Sequence, residues 1–348
     1  KYMVEIARAL VFTPKIIVFD EPTASLTNCE KVVLFDMINE LKKLGAGIAY
    51  ISHRMDEIFT LSDRLTVLRD GEYRGTLETA KTDESAVIVL MTGRGLDKNT
   101  CTGPLLEGET VLEVINLSLA NHYQDISFRL KKGVVVGMYG LVGAGRTKVA
   151  ETLFGLRQPD SGQIVYEGES IAISDSHTAV DAGIALVPEN RKEQGLVLEM
   201  SCRDNMTIAQ VDKLSVLGWL LQRKEHQIYD KYAQQLSIKS PGGSYPVGNL
   251  SGGNQQKIVI GKWLSVQPKV LILDEPTRGI DVGSKSKIHT LIRELARSGL
   301  AVLVISSEMP EVLSVSDQII AMYEGELIDF FTSDTVTENA LVTAITGQ

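Results

Sequence analysis

The sequence predicts an α/β fold built on a mainly parallel sheet, and three observations support this class. A strand–helix–strand pattern occurs twice, in two segments that resemble each other. In both, apolar and β-branched runs (residues 16–19 and 270–273) alternate with stretches whose apolar residues recur at helical spacing. A third such run, residues 134–138, leads into a glycine-rich loop and a further helical stretch. Continuous apolar strands are typical of parallel sheets that are covered on both faces.

An internal repeat organises the chain. The segment KIIVFDEPT at residues 15–23 matches KVLILDEPT at residues 269–277, and the same offset continues to pair Asp63 with Asp317. The second copy includes a glycine-rich loop for which the first copy has no counterpart. We therefore expect the chain to be the C-terminal part of a longer protein with two modules, of which the first lacks its N-terminal portion. The predicted divisions are residues 1–75 for the rest of the first module, 76–108 for a connector, and 109–348 for a complete second module.

Composition excludes several classes of protein. The net charge of −9 and the pI near 5.2 argue against a nucleic-acid partner. The cysteines, Cys29, Cys101 and Cys202, are odd in number and widely separated, which disfavours a disulfide framework or a zinc site and fits a reducing compartment. No apolar run is long enough to cross a bilayer, and the first ten residues do not resemble a signal peptide. We expect any work at a membrane to be done through a partner.

The glycine-rich loop GLVGAGRTK, residues 140–148, nearly matches the phosphate-binding pattern G-x-x-x-x-G-K-[ST]. Arg146 occupies the position of the lysine. Successive backbone N–H groups and a helix N-terminus form an anion site in such loops, and Thr147 would offer its hydroxyl to Mg²⁺. The alternative is a tight turn without a ligand. The candidate nucleotide-binding residues are Gly140, Leu141, Val142, Gly143, Ala144, Gly145, Arg146, Thr147 and Lys148.

Two acidic pairs follow the repeated strands, Asp20 with Glu21 and Asp274 with Glu275. A carboxylate at the end of a buried strand can hold Mg²⁺, and its neighbour can orient or deprotonate the attacking water. An acidic pair is often only the solvated start of a helix, but its occurrence at one offset in two copies disfavours that alternative. The predicted metal residues are Asp20, Asp274 and Thr147.

The segment NLSGGNQQKIVIGKWL, residues 249–264, resembles the LSGGQ signature of ABC-type ATPases, and the resemblance covers essentially the whole chain. It implies a P-loop NTPase fold with ABC-type modules, each a mainly parallel sheet with a helical subdomain, here at about residues 200–248. In this family two modules pair head to tail, so that each ATP, with Mg²⁺, lies between the P-loop of one and the signature of the other. By this resemblance, the residues that contact the γ-phosphate held by the partner module are Ser251, Gly252, Gly253 and Asn254.

Further segments of the sequence are similar to segments of bacterial ATPases that power the uptake of ribose, arabinose, galactose or xylose. They include DEPTASLT, YISHRMDEIF and DEPTRGIDVG, whereas ETLFGLR and VIGKWL favour the galactose/methylgalactoside type. The resemblance implies a membrane permease as partner and, through it, a sugar-binding protein. It places the protein peripherally at the cytoplasmic face of the bacterial plasma membrane.

The second module departs from the family pattern at three positions. The family's switch histidine matches His53 in the first copy, but Ser307 in the second. Glu189 stands in VPENR, where the family has its Q-loop glutamine, and Arg146 replaces the P-loop lysine. Arginine keeps the positive charge. Its planar guanidinium, however, fits poorly at a position where the compact ammonium of a lysine would lie among the phosphates. We therefore expect one strong and one impaired ATP site.

The strong site would combine first-module carboxylates with the signature, and the impaired site would use the glycine-rich loop. The predicted catalytic residues are Glu21, His53 and Glu275. Neither composite site is complete in this chain, so we expect the chain alone to have little or no ATPase activity.

Two local predictions and two alternative functions remain. Tyr123 is the nearest candidate for the adenine-stacking aromatic residue. The apolar run VLGWLL, residues 216–221, is expected to pack in the core of the helical subdomain, with a permease contact as the alternative.

A soluble tandem ABC ATPase acting in translation would carry a long charged linker, which residues 73–108 do not provide. The other alternative is a regulatory subunit that does not hydrolyse ATP.

Overall fold

The computed structural model describes residues 14–20, 22–23, 28–52, 55–69, 71–92, 108–141 and 143–346. The described residues belong to two compact units. The first unit comprises Lys1–Lys98 with Asp281–Gly283, and the second comprises Asn99–Ile280 with Ser284–Gln348.

The first unit contains two parallel strands, β1 (Ile16–Asp20) and β2 (Gly47–Ile51), joined by helix α1 (Asn28–Lys43). This is the predicted strand–helix–strand pattern. Apolar side chains of α1 pack against one face of the strands, in a cluster whose buried members are Ile17, Phe19, Leu34, Ile38 and Leu61.

The opposite face of these strands is exposed. Ile16 and Val18 have exposed fractions of 75% and 62%, and Ile51 is exposed as well. Within the described residues of the first unit, the predicted cover is thus present on one face only. The reason is that no element among its described residues packs on that face.

The first unit continues with helix α2 (Met55–Leu61) and the antiparallel strands β3 (Arg64–Arg69) and β4 (Glu72–Glu78). A 3₁₀ turn (Thr79–Lys81) and helix α3 (Glu84–Thr92) follow. Much of the segment predicted as a connector thus forms regular secondary structure. Val87 of α3 is buried in a cluster with Leu65 and Val67 of β3. The domain boundaries at residues 75 and 108 remain a prediction.

The second unit has a six-stranded central sheet. Its strands are β7 (Val135–Gly140), β10 (Ile184–Val187), β13 (Val270–Asp274), β14 (Ala301–Ser306), β15 (Gln318–Tyr323) and β16 (Glu326–Thr332). They lie in the order β10-β13-β14-β7-β15-β16, and all neighbouring pairs are parallel except β15 with β16. Every residue of the four strands β7, β10, β13 and β14 is buried, which explains their continuous apolar sequences.

A second, antiparallel sheet consists of β5 (Thr110–Leu119), β6 (Tyr123–Lys131), β8 (Ser161–Tyr166) and β9 (Glu169–Ile171). Its strands lie in the order β6-β5-β8-β9, and its apolar face shares one core cluster with β7, β13 and β14. The helices that accompany the two sheets are α4 (Arg146–Leu153), α5 (Ser176–Asp181), α9 (Gly252–Ser265), α10 (Val282–Arg297), α11 (Met309–Val315) and α12 (Glu338–Thr346). No helix in the described ranges has both the length and the apolar character needed to span a membrane.

Residues 200–248 are mainly helical. They contain α6 (Cys202–Thr207), a 3₁₀ turn (Ile208–Gln210), α7 (Val211–Leu214) and α8 (Gln222–Gln235), and a 3₁₀ turn (Val247–Asn249) leads to α9. Between α7 and α8 lies a short hairpin of β11 (Ser215–Val216) and β12 (Trp219–Leu220).

This hairpin corrects the prediction for the run VLGWLL. Core packing was expected, but Val216, Leu217, Trp219 and Leu220 are all exposed, Leu217 to 95%. Leu214, which directly precedes the hairpin, is buried in the core. An apolar run of this length in a tight turn cannot direct all its side chains inward.

Candidate nucleotide-binding site

The glycine-rich loop connects β7 to α4 in the order that phosphate-binding loops require. Gly145 caps α4 with a φ of +91°, and a Cβ atom on it would lie 2.5 Å from the carbonyl oxygen of His122. Only glycine fits both constraints. Leu141 and Gly143 are exposed, Ala144 is buried, and Val142 lies outside the described residues.

Arg146, at the position of the lysine, is buried at the start of α4. Its Nη1 lies 3.5 Å from Oε1 of Glu275, and its Nη2 donates to the carbonyl oxygen of Leu141 at 3.5 Å. Burial lowers the pKa of this guanidinium, and the neighbouring carboxylates of Glu275 and Asp274 oppose that shift. The side chain therefore faces the carboxylates at the end of β13.

Lys148 does not replace the missing lysine. Its Nζ donates to both carboxylate oxygens of Glu151, at 3.1 and 2.9 Å, one turn along α4. The positive charge that the loop offers thus comes from Arg146.

The acidic pair of the second unit follows β13. Asp274 is 2% exposed, its side chain lies beside the hydroxyl of Thr147, and its Oδ1 has no hydrogen-bond partner among the described residues. Burial raises the pKa of Asp274 to about 6. Glu275 has a φ of +46°, a strained conformation for a residue other than glycine that is common at functional sites. The structure brings the predicted metal residues Thr147 and Asp274 together.

Ser307 and Glu189 take different positions around this site. The backbone N–H of Ser307 donates to Oε1 of Glu275 at 2.8 Å, so the serine that replaces the switch histidine contacts the predicted catalytic glutamate. Burial raises the pKa of Glu275, and the hydrogen bonds from Ser307 oppose that shift. Glu189 instead forms an ion pair with Arg278.

The signature segment begins helix α9. Ser251 is its exposed N-cap, and its Oγ accepts from Nδ2 of Asn254 at 2.9 Å. A Cβ atom on Gly253 would lie 2.8 Å from the Cβ of Ser284, so the close packing of α9 on α10 requires glycine there. Gly252 is half-buried beside Arg191.

The sequence analysis missed Arg191. Its guanidinium donates to the carbonyl oxygens of Arg278 and Gly279, at 2.7 and 2.9 Å, and to Oε1 of Gln255 at 3.4 Å. It therefore ties the signature helix to the loop after the acidic pair. No local pattern marks it, since its partners are mostly backbone carbonyls distant in sequence.

In the first unit, Asp20 ends β1, while Glu21 and His53 lie outside the described residues. A second missed residue is Glu57, which is fully buried. It accepts hydrogen bonds from Thr23 at 2.8 Å and Tyr50 at 2.7 Å, and it pairs with Lys31 at 3.1 Å.

Glu311 is the counterpart of Glu57 in the repeat. It is 2% exposed and accepts from the hydroxyl of Ser306 at 2.6 Å, and Nε2 of His289 lies 3.1 Å away. Burial alone raises the pKa of Glu311, but these hydrogen bonds outweigh it and hold the pKa below its ordinary value. A buried carboxylate thus anchors the segment after the second repeated strand in both units. The shared offset was a signal that could have identified the pair.

The adenine-stacking prediction for Tyr123 is not supported by its position. Tyr123 is 3% exposed, and its hydroxyl donates to Oγ1 of Thr152 at 2.7 Å inside the core. The neighbouring ring of His122 is exposed and lines an open cleft of about 650 Å³ that also includes Gly143 of the glycine-rich loop.

These features define an ATP-binding cassette, with a P-loop, an acidic strand end and a signature helix in one unit. The ABC transporter family profile matches residues 123–278. The chain is 43% identical over 345 residues to the ribose import ATP-binding protein RbsA of Halalkalibacterium halodurans, covering 99% of this chain and 69% of that protein. It is also 43% identical over 346 residues to a putative ribose/galactose/methyl galactoside import ATP-binding protein of Geobacillus kaustophilus, again covering 99% and 69%. The chain belongs to the ATP-binding proteins of the ABC transporter family, which are ATPases.

Solved structures confirm the predicted fold class. The ADP conformation of MJ1267, an ATP-binding cassette of an ABC transporter, superimposes with a TM-score of 0.58 at 21% identity, covering 69% of this chain and all of that one. A part of an ABC transporter complex from Clostridium perfringens, cbiO1, gives 0.57 at 23% identity, with 67% and 93% covered.

Proposed function

We propose that this chain is the ATP-binding subunit of a monosaccharide importer at the cytoplasmic face of the bacterial plasma membrane. It would drive a membrane permease that receives the sugar from a separate binding protein. The observation that carries the proposal is the glycine-rich loop between β7 and α4, whose Arg146 lies beside Glu275 at the acidic end of β13, in a chain whose relatives are named as sugar import proteins.

Ribose is the sugar to test first. The names of the relatives favour it, whereas the segments ETLFGLR and VIGKWL favour galactose. Uptake of radiolabelled ribose, galactose, xylose and arabinose should be compared in a strain that lacks the gene. We expect ribose uptake to be lost and to be restored by the gene, but not by a copy carrying Asp20→Asn. Unchanged uptake of all four sugars would refute the proposal.

Magnesium fits the residues of the second site. Thr147 and Asp274 provide a hydroxyl and a carboxylate that lie beside each other, and Oδ1 of Asp274, which has no hydrogen-bond partner among the described residues, is a suitable hard ligand. In the first unit Asp20 has the corresponding position at the end of its strand. Thr147 and Asp274 would hold the ion beside bound ATP, where it would supply positive charge that offsets the charge of the phosphates.

The two ATP sites are proposed to be unequal, with the second binding nucleotide and hydrolysing it slowly or not at all. This proposal rests on Arg146 and Ser307, which both contact Glu275. If the rate of hydrolysis at the second site were zero, the second module would be purely regulatory, which is the alternative function considered above. A role in translation gains no support from the relatives, which are import proteins.

Steady-state phosphate release from the purified chain with Mg-ATP tests whether the second site hydrolyses ATP in the chain by itself. We expect little or no turnover. A substantial rate that Glu275→Gln abolishes would show that the second site is catalytically competent.

A further inference from the structure

The hairpin of β11 and β12 places an apolar tip in solvent. Val216 and Trp219 pair across its strands, and a two-residue turn joins them. The exposed fractions are 54% for Val216, 95% for Leu217, 80% for Trp219 and 46% for Leu220. Large apolar side chains grouped in this way mark an interaction site more often than isolated ones do.

The turn itself is costly for this sequence. Leu217 has a φ of +52° and Gly218 a φ of +82°, which is the type I′ geometry that favours Asn-Gly. A leucine at the first position is strained, and among the described residues it gains no burial that would offset this strain. Packing within the described part of the chain therefore does not account for the leucine.

Basic residues flank the hairpin in the sequence. Lys213 precedes the hairpin, and Arg223 and Lys224 follow it in the first turn of α8. All three are exposed, and none forms an ion pair with another residue that the structure describes. Asp212 and Glu225 also flank the hairpin, which leaves residues 211–225 with a net charge of +1, whereas the whole chain carries −9.

We propose that the hairpin inserts its tip into the headgroup region of an anionic lipid bilayer. Tryptophan concentrates at membrane–water interfaces, and lysine and arginine next to an apolar segment are attracted to the anionic cytoplasmic leaflet. Protein interfaces are instead depleted of lysine. The tip is also convex, which suits a lipid surface better than a partner that must supply a matching pocket.

Flotation of the purified chain with vesicles tests the proposal. We expect binding to vesicles of phosphatidylglycerol and phosphatidylcholine, weaker binding to phosphatidylcholine alone, and a blue shift of Trp219 emission. Leu217→Asn suits the turn better, so the midpoint of thermal unfolding should be kept or raised while vesicle affinity falls about tenfold. Lys213→Glu and Lys224→Glu should each lower the affinity by about fivefold or more. Leu156→Asn, at an exposed leucine outside the hairpin, is the control that should change nothing.

Absence of binding to anionic vesicles, or binding that survives Leu217→Asn, would overturn the proposal. If vesicles are not bound but Leu217→Asn abolishes transport, the hairpin contacts a protein subunit and the lipid assignment is wrong. The proposal goes beyond sugar import and fails independently of it, because nucleotide binding by the same preparations reports on the ATP site alone.

Discussion

Arg146 and Glu275 form an ion pair inside the second nucleotide site, with 3.5 Å between Nη1 and Oε1 and exposed fractions of only 7% and 12% for their side chains. The cation that should meet phosphate and the carboxylate that should activate water are therefore each other's partners. Ser307 adds a backbone hydrogen bond to the same glutamate oxygen. This arrangement gives a physical basis for unequal ATP sites.

Arg146→Lys should tighten the binding of Mg-ATP to this chain by about tenfold, since a compact ammonium fits among phosphates and no longer holds Glu275. Isothermal titration calorimetry measures the affinity directly. Arg157→Lys is the control, because Arg157 pairs with Glu151 rather than with the acidic pair of β13. Unchanged or weaker binding in Arg146→Lys would show that the guanidinium is a good phosphate ligand.

Glu311→Gln should lower the free energy of unfolding by about 1.5–3 kcal/mol, because it weakens hydrogen bonds to a buried charged acceptor. The depressed pKa means that this stabilisation is present above the ordinary value of 4.5 and is lost as the pH falls through the lower folded value. Urea unfolding at pH 7 measures the effect. Glu308→Gln breaks a more exposed ion pair with Lys285 and should cost less than about 1 kcal/mol. Equal losses in both variants would contradict the role given to Glu311.

Asp274→Asn should stabilise the second unit at pH 8 by up to about 3 kcal/mol, since a pKa raised by about two units penalises the ionised form in the folded state. The folded pKa of about 6 exceeds the ordinary value of 3.8, so the wild-type chain loses stability as the pH rises through this interval. The gain should vanish near pH 4. Urea unfolding without nucleotide, followed by Trp263 fluorescence, reports on this unit because Trp263 packs on Phe154. A gain of equal size at both pH values would refute the assignment.

Sequence reasoning identified the features that depend on neighbours in the chain. The loop between β7 and α4, the acidic pair after β13 and the signature helix were all found from local patterns. Arg191 was missed because its partners come from a distant loop. The exposure of Leu217 was missed because an apolar run does not show whether a turn directs it outward.

The pairing of Arg146 with Glu275 likewise could not be predicted from the sequence. The replacement of lysine predicted an impaired site, but the contact depends on how β13 and α4 are placed in three dimensions.

The most direct test of unequal sites compares Glu21→Gln with Glu275→Gln in the assembled transporter. Removing a general base typically lowers the rate by about 10²- to 10⁴-fold. At the site that has His53, such a loss would limit the overall rate of transport. At a site that already hydrolyses ATP slowly, the same loss would change the overall rate little. Sugar uptake should be measured in cells that express each variant at matched levels. We predict that Glu21→Gln stops uptake and Glu275→Gln leaves a sizeable fraction, and equal loss in both variants would contradict the account.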